Sequence, residues 1–78
     1  MKRRKLEIGE LGEVVSLMAD ARRKFQELTV IATVTDGGEA RLEIVQAPAN
    51  ALEAVQDNGY YVAVENGRGV VYGGEDAA

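Results

Sequence analysis

Two alternating runs on either side of Asp36-Gly37-Gly38 constrain this chain more than any other feature of it. Leu28 to Thr35 reads Leu-Thr-Val-Ile-Ala-Thr-Val-Thr, with Leu28, Val30, Ala32 and Val34 toward one face and Thr29, Ile31, Thr33 and Thr35 toward the other. Beyond the turn, Ala40, Leu42 and Ile44 alternate with Arg41 and Glu43. Asp-Gly-Gly supplies residues that accept positive φ, so the two runs are predicted to close as an antiparallel hairpin with the threonine-bearing face outermost.

The flanking segments supply cover for such a hairpin. Leu11, Val14, Val15, Met18 and Ala21 follow the i, i+3, i+4, i+7 spacing of one buried helical face. Gly9 marks the expected start of this helix. Glu10 and Glu13 stand in the first turn and Arg22, Arg23 and Lys24 near the end, each suited to its pole of the macrodipole. Gly12 inside it costs about 1 kcal/mol against alanine, and it is either simply tolerated or a mark of close approach by a backbone or a ligand. Pro48, the single proline, is placed to open a second helix carrying Ala51, Leu52 and Val55, and Asn58-Gly59 stops it. Tyr60 to Glu65 alternates as a strand, and Asn66-Gly67-Arg68-Gly69 turns the chain toward Val70-Val71-Tyr72. With a short strand ending at Glu7, the order is βαββαβ plus an optional C-terminal strand. The expectation is an α+β, ferredoxin-like sandwich: an antiparallel four-stranded sheet with two helices on one face. One domain is expected over residues 1–72, with a flexible acidic tail over 73–78.

Composition narrows the chemistry. A chain of 78 residues is one small domain, which buries only roughly 60% of its unfolded surface and would gain from a partner. It contains no cysteine and no histidine, which removes disulfides, thiolate nucleophiles, imidazole bases and nearly all structural zinc sets. The one serine, Ser16, lies within the first helix, and Glu13 and Asp20, seven apart on it, read as a solvated surface. The expectation is therefore no enzyme, no metal and no cofactor. Seven basic residues face four acids through Lys24, whereas two face nine thereafter. A basic start without clustered aromatics makes nucleic acid an unlikely partner. No stretch nears the ~20 apolar residues of a membrane span, and no apolar run follows Met1-Lys2-Arg3-Arg4-Lys5, so a cytoplasmic, membrane-free protein is expected.

Three segments resemble the ACT domain, a small regulatory module that senses amino acids. Gly9-Glu10-Leu11-Gly12-Glu13-Val14 is similar to that family's glycine-x-leucine turn, with Ile8 where the family usually has proline. Asp36-Gly37-Gly38 with Ala40 to Val45 is similar to its central hairpin, and Ala51 to Val55 with Gly59 to Val62 to its second helix and closing strand. The resemblance implies a first helix ending near Ala21-Arg22 and a second strand beginning near Phe25. It also implies a regulatory module binding a free amino acid at a homodimer interface, through Ile8, Gly9, Glu10, Leu11 and Gly12 of one subunit and Lys24 and Phe25 of its neighbour. A glycine-started helix offers backbone N–H groups to the effector's carboxylate. The alternative is an oligomerisation or docking module without a small ligand, which pairs with itself or with a separate enzyme chain.

Overall fold

The computed structural model describes residues 3–74. Its elements are β1 (Leu6–Glu7), α1 (Ile8–Ala21), β2 (Thr29–Val34), β3 (Glu39–Gln46), α2 (Ala49–Asp57), β4 (Tyr61–Glu65) and β5 (Arg68–Tyr72). All five strands join one antiparallel sheet, and both helices pack on one face of it and against each other. The predicted hairpin is its centre. β2 runs beside β3 from Thr29 opposite Gln46 to Val34 opposite Ala40, and the Thr35 amide closes the turn by donating to the Glu39 carbonyl at 2.9 Å.

The other side of β3 is shared by two strands from opposite ends of the chain. β5 pairs Gly69, Val70 and Val71 with Ile44, Glu43 and Leu42, and β1 continues the same position with Leu6 and Glu7 opposite Ala40 and Glu39. Where they meet, the Arg4 and Gly73 backbones exchange two hydrogen bonds, of 3.2 and 2.7 Å. Gly73, expected to begin a tail, is thus buried in the sheet, while residues 75–78 of that tail lie outside the described residues. The optional last strand is real and longer than expected. Asn66 and Gly67 both take positive φ, the requirement of a two-residue hairpin turn, so β5 begins at Arg68 and pairs fully with β4.

The core lies between the sheet and the helices. Leu6, Leu42, Ile44 and Val71 face Val14 and Met18 of α1 and Ala51 and Val55 of α2, all nearly inaccessible. Helix α1 starts at Ile8 and ends at Ala21, so Arg22, Arg23 and Lys24 lie beyond its last turn. Pro48 is the N-cap of α2, one position earlier than expected. Asn50 of α2 donates its side-chain amide to the Ala21 carbonyl, giving the end of α1 a tertiary partner. No helix among the described residues is long and apolar enough to cross a membrane.

Candidate functional site

The residues expected to hold an amino acid fall at opposite ends of α1. Ile8, Gly9, Glu10, Leu11 and Gly12 form its first turns. Lys24 and Phe25 follow its C-terminus, about 21 Å away along a 14-residue helix. Within one chain they do not meet. Phe25 is not at a strand start either: it occupies a turn at φ 73°, is 92% exposed, and lies beneath Lys24 Nζ, 5.1 Å from the ring centroid. The Arg23 amide donates to Gln26 Oε1 at 2.8 Å, which holds this turn and delays the strand to Thr29.

At the N-terminal end the carboxylate is already engaged. Glu10 accepts both terminal nitrogens of Arg4 at 2.6 Å, in the parallel two-bond geometry of a strong ion pair, and Oε1 also accepts the Glu7 amide at 3.0 Å. The Arg4 hydrogen bonds hold the Glu10 carboxyl below its ordinary pKa. A ligand ammonium group there would have to displace Arg4. Above Gly9 and Gly12, by contrast, a β-carbon would meet nothing within 4 Å, so packing within the chain does not require either glycine. Ile8 beside them is 53% exposed. Arg4 belongs to the basic start of the chain, where no local spacing couples it to Glu10; the backbone bonds between Arg4 and Gly73 hold it in place for the contact.

A second pair the sequence did not disclose is Tyr60 with Glu13. Tyr60 is buried in the core and its hydroxyl donates to Glu13 Oε2 at 2.8 Å. Desolvation, reinforced by the carboxylate, pushes Tyr60 up to about 12. Glu13 is therefore a structural acceptor, and Asp20, the other acid on that helix, is exposed. Among the described residues no group of three or more acids, histidines or cysteines converges on a metal-binding geometry.

The most unusual surface is β2. Its inward residues Ala32 and Val34 stand in register with buried Leu42 and Ala40, yet both are exposed, Val34 by 50%. Only Leu28 and Val30 reach the core. On the helix-free face Ile31 is 41% exposed, with Val45 of β3 also uncovered. Among the described residues β2 is hydrogen-bonded to β3 alone, so its outer edge presents unpaired backbone groups, and Thr29–Val34 carries no charge. The opposite edge, β4, differs in that Tyr61, Val62 and Ala63 are half-buried and the strand ends in Glu65, with Val64 its one exposed residue at 80%. The helix-free face near β4 is occupied by ion pairs: Arg41 reaches Glu43 and Glu65 at 3.3 and 3.4 Å, and Arg68 reaches Glu43 at 3.4 Å. The Tyr72 hydroxyl donates to Glu65, which lowers the Glu65 pKa and raises that of Tyr72.

The chain matches no known family, no curated protein and no solved structure.

Proposed function

We propose that this protein is a non-catalytic assembly module that self-associates through the outer edge of β2. The observation that carries this is the bareness of that strand: six uncharged residues, exposed on both faces from Ile31 to Val34, with one backbone edge unsatisfied. Natural proteins blunt such edges with charge, proline or a covering element, and among the described residues none of these protects β2. A second copy is the natural occupant. Each chain presents the same uncharged strand, and antiparallel pairing about a two-fold axis satisfies both edges at once. In this reading the sheet belongs to a ferredoxin-like βαββαβ fold whose shortened first strand is completed by β5. Copies carrying net charge −4 repel one another, so association held by backbone and apolar contacts strengthens as salt is added.

Sedimentation equilibrium tests this directly. The wild type is expected to form dimers at micromolar concentration, and Thr33→Lys, which places a charge on the exposed strand, is expected to be a folded monomer. A wild type that remains a folded monomer overturns the proposal.

A second reading is favoured by the open space over Gly9 and Gly12: an amino-acid effector whose carboxylate meets the start of α1, with Lys24 and Phe25 supplied by a neighbouring subunit, as in the ACT-like expectation. Calorimetric titration with each of the twenty amino acids checks it, and a uniform absence of heat at millimolar levels rejects it. An effector bound between copies would also shift the dimerisation equilibrium by linkage.

A further inference from the structure

On the side of β3 away from β2 the sheet is interrupted, and the interruption leaves a cleft. β5 stops pairing with β3 at Val71, opposite Leu42, and β1 resumes the same side at Ala40, so Arg41 has no register partner there. Beneath this gap lies an apolar floor of Leu6, Ala40, Val70 and Val71, all buried. The walls are polar. Lys5 and Arg41 bring positive charge, Thr35 and Tyr72 bring hydroxyls, and Glu39 is the one acid of the lining. Because Leu6, Ala40, Leu42 and Val71 turn to the core, strand alternation sends Lys5, Glu39, Arg41 and Tyr72 to the helix-free side. The cleft's volume is about 120 Å³. An apolar cavity of about 150 Å³ takes up benzene, so the space suits a body of a few carbon atoms and is far too small for a nucleotide.

The two cations are loosely held. Arg41 uses Nε and Nη2 on Glu43 and Glu65 at 3.3 and 3.4 Å, and the Tyr72 hydroxyl also stands beside its guanidinium. Lys5 Nζ contacts Glu39 Oε1 at 3.4 Å, with both side chains more than half exposed. Neither resembles the short, twofold Arg4–Glu10 pair, and long exposed pairs of this kind exchange readily for a better-placed anion. We propose that this cleft binds a short aliphatic carboxylate, its charged end between Arg41 and Lys5 and its apolar body on Leu6, Val70 and Val71. Glu39 competes with the ligand for Lys5. The site lies on the side of β3 away from β2 and does not depend on the self-association proposed above.

The test is an amide NMR titration with isovalerate, using isovaleramide as the neutral isostere. Isovalerate is expected to give saturable shifts at Ala40, Arg41, Val71 and Tyr72, and isovaleramide none. Arg41→Gln weakens binding by about tenfold or more, as loss of a charge-assisted hydrogen bond predicts. Glu39→Gln strengthens it, a gain that general loosening of the fold would not produce. Each variant's amide spectrum reports whether it is folded, and Lys5→Gln replaces Arg41→Gln if the latter is not. The absence of saturable shifts with isovalerate, equal binding of the amide, or affinity indifferent to the cation substitution overturns the proposal.

Discussion

Adjacent tyrosines at the start of β4 have opposite energetic roles. The Tyr60 hydroxyl is buried and donates to Glu13, whereas the Tyr61 hydroxyl is buried with no hydrogen-bond partner among the described residues. Tyr60→Phe removes a satisfied bond and is expected to cost about 1 kcal/mol, while Tyr61→Phe removes a desolvated donor and is expected to be neutral or to stabilise by about 1 kcal/mol. Denaturant titration of the two variants against the wild type checks both signs. Alkali separates them further. Folding raises the Tyr60 pKa from its ordinary value of 10.0 to about 12, so the folded state holds this proton more tightly than the unfolded chain. Its contribution is fully present below pH 10.0 and is lost as pH rises through about 12. The stability advantage of wild type over Tyr60→Phe should therefore shrink across that window. A gap that stays constant from neutral pH to pH 12 would mean the hydroxyl is not protected as described.

Among the elements, α1 carries an avoidable penalty. Gly12 is exposed within it, has no positive φ, and leaves open space where a β-carbon would stand. Gly12→Ala should stabilise the fold by about 1 kcal/mol, which for a domain of this size raises the thermal midpoint by about 4–8 °C. If the same substitution weakens an effector response, the glycine serves a ligand at the expense of stability; an unchanged or lowered midpoint would show instead that the helix is not continuous through this position. Elements with a local cause were legible in the sequence. The β2–β3 hairpin announces itself through period-two alternation around Asp36-Gly37-Gly38, and α1 through the spacing of Val14 and Met18. The resemblance sets Phe25 near the start of the second strand, whereas the Arg23–Gln26 turn throws it into solvent and the strand begins at Thr29. Residue pattern also predicted the inward face of β2 but not how little of it the helices cover. That coverage depends on where two short helices end relative to the strand, which no single segment encodes.

At the scale of the whole molecule, the two ends of the described chain complete one strand position, and this is the feature furthest from local sequence. Arg4 and Gly73 are 69 residues apart by number, yet their backbones are bridged, and the Arg4 side chain turns across Gly73 to reach Glu10. A β-carbon on Gly73 would stand 2.5 Å from Arg4 Nη1, so any larger residue there must push the guanidinium aside from Glu10. A small domain has only about 4–12 kcal/mol of net stability, so uncoupling its ends is felt throughout the sheet. Gly73→Ala should destabilise by about 1–3 kcal/mol through overpacking. Arg4→Ala should also destabilise, by leaving Glu10 without its partner. The double variant should lose less than the two separate losses combined, because with the guanidinium gone the added methyl has room and the Glu10 contact is already absent. A double-mutant cycle by denaturant unfolding measures this, with a coupling of at least about 0.5 kcal/mol expected for residues in contact. Strict additivity would mean that the first and last strands bind β3 independently, and the cleft between them would then lose its fixed walls.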